Sequence, residues 1–466
     1  MSAQRQRRAL ILSPYWAPSR VTALWRPLRL CRYLPEFGWA PTVLAPRPED
    51  LFHFPPPVDD ALSVPQLPVL RPALSVPSVR LMGASATLGE RLDQRLGFGR
   101  ARSADRAPRR LPRSPGALLE KLAIRLIGRS RLPDQFAEWG LSAVRQLRLG
   151  RLPELASLRG QLDALWVTGG PFGAFVAGAL LADQLRCPLV LDYRDMWTSD
   201  PDLTTHRPLF APQGLIERLE GALLERASAV AYIHAPCLEA NRRRFGQPAG
   251  SRWEVIPNSF DPIDLGTAAP ITDPVPNLLY AGNCYGSRSL SPCLDALAAY
   301  PREEASPRLE VFGVLDRASL DALAARPLPP ERFTYSPPVS AQEIGARLRG
   351  AAALLLIIGE THREALSAKL YDYLAAGRPI IGYGPADAAA RAVVESLGAA
   401  GRWVVSGDQE GLLRAYRDVA EGRLTPPVAP PTERYHARQL AARSAALLDW
   451  AARQGPRPSL RWGSDS

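Results

Sequence analysis

Lys369 and Asp372 stand three residues apart in "LSAKLYDYLAAGRPIIGY", residues 366–383. The stretch reads as a helix, a sharp turn and a strand. Ser367 can cap the helix start, Gly377 suits its left-handed end, and Pro379 stops it. A core helix needs neither charge. Lys369 falls in the first turn, where the helix dipole disfavours a cation, and an anionic ligand would resolve that conflict. An exposed, solvated lysine is the bland alternative. Glu364 precedes Asp372 by eight residues, so one carboxylate lies in a loop and the other on the helix.

Two other stretches carry candidate chemistry. "AGNCYGSRSL", residues 281–290, ends a strand with Gly282 and Asn283 and runs through Arg288 into a helix. Backbone N–H groups and a guanidinium could meet a phosphate there. "LDYRDMW", residues 191–197, places Asp192, Arg194 and Asp195 at a strand end beside Trp197. A carboxylate in that position can take a proton or bind a sugar hydroxyl. An Arg–carboxylate brace is the structural alternative. Asp195 and His234 are the candidates for an acid–base role, although no catalytic base is marked by the sequence.

These stretches need a scaffold that brings strand ends together. "RALILS", "PTVLAP", "ALWVTGG", "PLVLDY", "SAVAYIH" and "RWEVIPN" are apolar runs separated by helical patterns. They lack strict alternation, as strands of a parallel sheet covered on both faces do. A second series follows a proline-rich break: "LLYAG", "LEVFG", "FTYSPP", "ALLLIIG", the opening stretch and "GRWVVS". The chain therefore reads as α/β, with two domains built alike. In such sheets ligands bind beyond the carboxyl ends of the strands, which is where Gly282-Asn283, Gly313, Pro337 and Gly359 through Glu364 fall.

The expected boundaries are residues 1–262 for an N-terminal domain with a basic insertion at about 78–131, 263–277 for a linker, 278–430 for a C-terminal domain, 431–454 for a last helix and 455–466 for a tail. At 466 residues the chain is too long for one ordinary core. Its 46% hydrophobic and 22% charged residues are those of a globular protein. Five dispersed cysteines, without a C-x-x-C pair or a His/Cys cluster, argue against a disulfide framework or structural zinc and suit a reducing compartment. No uncharged apolar run is long enough to span a bilayer.

Net charge is +11, which favours anionic partners. Residues 102–131 hold nine basic residues against Asp105 and Glu120, and "ALLEKLAIRLIG" sets apolar side chains among them. The segment reads either as an interfacial element on anionic lipid or as a loop and helix packed on the first domain. Nucleic acid is not expected, because interleaved aromatics and known binding motifs are missing.

With these motifs in place, the chain resembles the GT-B glycosyltransferases of retaining family 4, a family that includes sucrose synthases and many bacterial polysaccharide enzymes. The likeness runs along nearly the whole chain. "ILSPYWAPSRVTALWRPLRLCRYLPEFGWAPTVLAP" is similar to the family's opening strand, loop, helix and strand. "PLVLDYRDMWTSDP" resembles a bacterial subgroup with an Asp-Phe/Tyr-Arg-Asp-x-Trp signature, and "VIPNSFDP" the end of the first domain. "YAGNCYGSRS" and "SAKLYDYLAAGRPII" resemble the donor-binding elements of the second.

The resemblance implies two Rossmann-like domains facing across a cleft, with the last helix crossing back to the first. It implies a nucleoside-diphosphate sugar as donor, a hydroxyl acceptor such as a glycan, glycolipid or small molecule, and no metal or other cofactor. Carried over by position, Arg288 neutralises the diphosphate, Glu364 lies near the donor sugar and Asp372 bonds the nucleotide ribose. Gly282, Asn283, Ser367 and Lys369 complete the donor site. Three positions depart from the family pattern. Asp372 stands where a Glu is usual, Ser289 replaces the lysine that often follows the arginine, and "APSRVTALW" lacks the usual Gly-Gly. Lys369 is the candidate to replace the missing lysine.

The expected function is sugar transfer with retention, in the cytoplasm and, given the basic segment, at the inner face of a membrane. Cell-surface polysaccharide or glycolipid synthesis is the expected setting. A catalytically silent GT-B scaffold subunit and a GT-B nucleotide-sugar epimerase are the alternatives. Nucleotide binding separates the first from an enzyme, and product analysis without an acceptor separates the second.

Overall fold

The structure is a computed structural model. It describes residues 5–18, 21–50, 64–80, 134–199, 213–427 and 433–459, apart from scattered positions within them such as 285–286 and 365. Most of the basic segment at 78–131, including "ALLEKLAIRLIG", lies outside the described residues, as does the end of the tail. The chain divides into two compact units. The first takes residues up to Pro257, with Leu440 onward, and the second takes Asn258–Gln439.

The first unit is a seven-stranded parallel sheet in the order β3-β2-β1-β4-β5-β6-β7. Its strands are β1 (Arg7–Leu12), β2 (Trp39–Leu44), β3 (Val69–Leu70), β4 (Ala164–Thr168), β5 (Leu189–Tyr193), β6 (Ala229–Tyr232) and β7 (Arg252–Val255). Every residue of β4, β5 and β6 is buried. Helices on both faces explain why the apolar runs do not alternate. They are α1 (Trp25–Tyr33), α2 (Gln135–Arg148), α3 (Gly173–Leu185), α4 (Gln213–Arg226) and α5 (Ala235–Phe245).

Two glycines let α2 and α3 approach. A Cβ on Gly140 would lie 2.2 Å from Ala177 Cβ, and one on Gly173 would lie 2.0 Å from Asp134 Oδ1. Asp134 uses the room to cap both helices, accepting from Phe136 N and Gly173 N at 2.8 Å each. These are orphan N–H donors that a helix start leaves unpaired.

The second unit is a six-stranded parallel sheet in the order β10-β9-β8-β11-β12-β13. Its strands are β8 (Asn277–Ala281), β9 (Arg308–Phe312), β10 (Phe333–Ser336), β11 (Ala353–Ile357), β12 (Ile380–Gly384) and β13 (Gly401–Val405). Around it lie α6 (Ser291–Ala299), α7 (Arg317–Ala325), α8 (Ala341–Gly350), α9 (Ala368–Ala376), α10 (Ala389–Glu395) and α11 (Gln409–Ala420). Two apolar clusters form its core. One runs from Leu278 to Val419 and contains the buried faces of α6 and α11, and the other contains those of α9 and α10.

Residues 263–271, within the stretch expected as a linker, are packed onto α8. Arg349 donates to Leu265 O at 2.7 Å and also to Ala268 O. Gly345 and Gly350 clear the way, since a Cβ on them would lie 2.1 Å from Leu265 O and 1.9 Å from Ile271 O. The last helix, α12 (Ala437–Gln454), enters the first unit from Leu440. Asp449 on it accepts from Trp39 Nε1 at 2.8 Å and pairs with Arg7 at 2.7 Å, while Arg443 pairs with Glu254 at 3.1 Å.

Candidate functional site

In the second sheet the strand order reverses beside β8: β9 lies on one side and β11 on the other. At such a point the loops leaving neighbouring strands diverge and leave room at their carboxyl ends. Three glycines sit there, one after each strand. Gly282 has φ +137° and Gly313 φ +150°, backbone states that L side chains rarely adopt. A Cβ on Gly313 would lie 2.1 Å from Gly282 O, and one on Gly359 would lie 2.4 Å from Ser287 Oγ and 3.0 Å from Arg288 N. The three loops therefore touch through backbone. Gly282 N donates to Phe312 O at 2.7 Å, Asn283 Oδ1 accepts from Val314 N at 3.1 Å, and the Ser287 and Thr361 hydroxyls lie 3.1 Å apart.

Lys369 comes up beneath this turn from the first turn of α9. Its Nζ donates to Tyr280 OH at 2.8 Å and to Asn283 O at 3.3 Å, and lies 4.7 Å from the Tyr280 ring centroid. Tyr280 OH in turn donates to Asn283 O at 3.0 Å. Among the described residues Lys369 forms no ion pair. Burial first, and the Arg288 guanidinium second, push its ammonium down to about 7, with Cys284 and Asp372 opposing the shift only in part. Arg288 itself is buried, just ahead of α6. The turn thus gathers Arg288 and Lys369 beside backbone that its glycines leave open to close approach, an arrangement suited to a compact anion.

The helix that carries Lys369 is fastened by its neighbours. Tyr373 OH accepts from Ala281 N at 3.0 Å, and Gly377 ends the helix at φ +63°. Ser367 occupies the N-cap position, but its side chain makes no capping hydrogen bond, unlike the expectation from sequence. Asp372 is half-buried on the same face as Lys369. Glu364 is exposed in the turn after Glu360–His362, with no hydrogen bond or ion pair among the described residues. The structure therefore brings Gly282, Asn283, Arg288, Lys369 and Asp372 into one neighbourhood.

The first unit has its own switch point, between β1 and β4. Asp192 lies one strand further on, near the end of β5, fully buried, and its partner is Arg26 at the start of α1. Arg26 Nε donates at 2.9 Å to both carboxylate oxygens, a second guanidinium nitrogen lies 2.7 Å from Oδ1, and Thr168 Oγ1 donates at 2.8 Å. Arg26 also donates to Pro257 O at 2.8 Å. This is a brace, and it runs to Arg26 rather than to the neighbouring Arg194. Arg194 instead donates to the carbonyls of Gly169, at 2.8 Å, and Gly170. Burial lowers its pKa against the opposing pull of Asp195 and Asp192. Asp195 is exposed beside Gly170, where a Cβ would lie 2.8 Å from its Oδ2. His234 is the N-cap of α5: its Nδ1 accepts from Cys237 N at 3.1 Å. That bond occupies one ring nitrogen in helix capping. Asp195 and His234 lie in the first unit, and Glu364 in the second.

Sequence reasoning missed Tyr280, Arg26 and Glu220. Tyr280 had one signal, an aromatic residue directly before the strand-end "AG". Arg26 had none, because its carboxylate lies 166 positions further along. Glu220 is a buried carboxylate that accepts from Tyr193 OH at 3.0 Å, Thr198 N at 3.1 Å and Asn241 Nδ2 at 3.3 Å, and burial raises its pKa. Only an amphipathic helix is visible around it in the sequence. Among the described residues there is no group of His, Cys, Asp and Glu that could hold a metal ion. No described helix is long and apolar enough to cross a membrane.

Two parallel α/β units of this kind, of seven and six strands, are the Rossmann-like halves of a GT-B fold, and solved structures bear this out. Sucrose-phosphate synthase from Thermosynechococcus elongatus is similar to the chain with a TM-score of 0.54 at 14% identity, over 96% of this chain and 97% of that one. WaaG, a glycosyltransferase involved in lipopolysaccharide biosynthesis, gives 0.50 at 13%, over 98% and 100%. An α,α-trehalose-phosphate synthase (UDP-forming) from Burkholderia xenovorans, in complex with glucose-6-phosphate, gives 0.52 at 12%, over 96% and 98%. The likeness is one of fold. No family model matches the chain, and no curated protein matches it in sequence.

Proposed function

We propose that the protein is a glycosyltransferase that moves a sugar from a nucleoside-diphosphate donor to a hydroxyl acceptor. The observation that carries this reading is the convergence of Arg288 and Lys369 on a strand-end turn where Gly282, Gly313 and Gly359 allow close approach. The diphosphate lies against that turn. Its charge grows as the bond from the sugar's anomeric carbon to the leaving oxygen breaks, and fixed cations and backbone N–H groups stabilise it most at that moment. The acceptor oxygen bonds the anomeric carbon, the nucleoside diphosphate leaves with the electron pair of the broken bond, and the acceptor's proton passes to that leaving group or to solvent.

Asp372 takes the nucleotide ribose and Glu364 the donor sugar, as the family 4 resemblance implies. Retention of configuration, transfer of a hexose, and work in cell-surface polysaccharide or glycolipid synthesis at a membrane's inner face belong to the same proposal. Support for transfer comes from the fold, which the chain shares with synthases and transferases that act on sugars.

The test is turnover. UDP-, GDP-, ADP- and dTDP-sugars are offered with lipid-linked, saccharide and sugar-phosphate acceptors, and nucleoside diphosphate release is measured. Release that depends on an acceptor and falls in Glu364→Ala is the expected result. Nucleotide binding without release in any combination would leave a silent scaffold, and donor isomerisation without an acceptor would make the protein an epimerase.

A further inference from the structure

We infer that binding of a nucleoside diphosphate beside Gly282, Asn283 and Arg288 takes up one proton from solvent, and that Lys369 is the group that receives it. The inference deepens the donor-site reading and rests on it.

The geometry comes first. Lys369 reaches the turn only because Gly282 has no side chain: a Cβ there would lie 1.9 Å from Lys369 Cε and 2.7 Å from Nζ. The side chain is therefore held against backbone and cannot swing into water without leaving its groove. Its two hydrogen-bond partners, Tyr280 OH and Asn283 O, are neutral oxygens. The groups around it come from β8, the turn that follows and α9. From β8 and the turn come Tyr280, Cys284 and Arg288, and from α9 come Asp372 and Tyr373. Burial keeps Tyr280, and likewise Tyr373, in the neutral form. Among the described residues, Asp372 is the carboxylate that acts on Lys369, against the Arg288 guanidinium.

The two cations repel each other, and burial strengthens the repulsion. Arginine holds its proton in proteins, so the lysine is the group that gives way. Near pH 8 Lys369 is therefore mostly neutral in the empty protein, in line with an ammonium pushed down to about 7. A nucleoside diphosphate that has lost its last proton brings about three negative charges to the same turn and reverses the balance. Lys369 then regains its proton, and the charge is present only while there is an anion to meet. By linkage the affinity falls about tenfold per pH unit above 7, for as long as the bound form keeps its proton.

Titration calorimetry of the full chain with UDP, GDP, ADP and dTDP tests this. The runs are made at pH 8 in Tris and in HEPES, buffers of different ionisation enthalpy. A phosphate's second proton is already lost there, its pKa being about 6, so the ligand does not take part. The expected result is a buffer-dependent enthalpy equivalent to nearly one proton taken up, and affinity that drops about tenfold from pH 8 to pH 9. Lys369→Arg, charged throughout, should bind at both pH values without uptake. Lys369→Met should bind more weakly, also without uptake, and it serves if the arginine does not fit beneath the turn. Binding with no buffer dependence in the wild type, or uptake that persists in both variants, would overturn the inference alone. Failure of every nucleotide to bind would remove the donor-site reading and this inference together.

Discussion

The Lys369 side chain passes over the backbone of Gly282, in the space a Cβ would need, with Cε 1.9 Å from where that atom would sit. One residue is the second of a helix and the other the first after a strand, 87 positions earlier. Gly282→Ala should therefore act twice. It forces a side chain into φ +137° and it expels the lysine. A strained backbone of this kind costs about 1–3 kcal/mol. Denaturant unfolding should report that loss, and nucleotide binding should fail at a temperature where the fold is intact.

Lys369 also makes stability depend on pH. A lysine whose folded pKa is depressed to about 7 binds fewer protons folded than unfolded between that pH and its ordinary value. Stability of the ligand-free protein should therefore rise as pH climbs from 7 towards 10, and below 7 the full penalty is present. Lys369→Met should flatten this rise and be relatively more stable at pH 6. Thermal unfolding of both proteins across pH 6–10 checks the sign.

In the first unit, Asp192→Ala removes the carboxylate that Arg26 meets at 2.7 and 2.9 Å and leaves a guanidinium buried without it. Breaking a buried pair in this way costs about 3–5 kcal/mol. Replacing both residues with apolar ones of similar size should recover part of the loss. Chemical denaturation of the two variants separates a brace from a catalytic group, since a catalytic aspartate would lose turnover at unchanged stability.

Asp134→Ala should uncap α2 and α3 together, because one carboxylate accepts from Phe136 N and Gly173 N. Each cap is worth about 1 kcal/mol. The expected loss is about twice that of an ordinary cap, read as a shifted unfolding midpoint at unchanged denaturant slope. A single-cap value would show that water replaces one of the two bonds.

On the proposed function, the two acids of the opening motif should separate kinetically. Asp372→Ala should weaken nucleotide binding by roughly 1 kcal/mol, the worth of a hydrogen bond. Glu364→Ala should leave nucleotide binding in place and lower turnover by about a hundredfold or more, as loss of a group acting in the transition state does. Equal effects of the two on binding would move Glu364 away from the donor sugar.

The sequence by itself determined the two α/β series, the parallel sheets and the strand-end position of Gly282, Asn283, Gly313 and Gly359. Apolar period, helix breaks and turn residues are local physics, and local physics is written locally. The helix carrying Lys369 and Asp372 and its left-handed end at Gly377 were legible for the same reason. Partners distant in sequence were not. Only the tertiary structure decided that Asp192 pairs with Arg26 and not with Arg194 two positions away, and that His234 caps a helix. Only it set Lys369 under the turn beside Arg288, with neutral oxygens as its bonding partners. A charge's protonation depends on how deeply it is buried and on what stands within a few ångströms of it. Both are set when strands far apart in the chain come side by side.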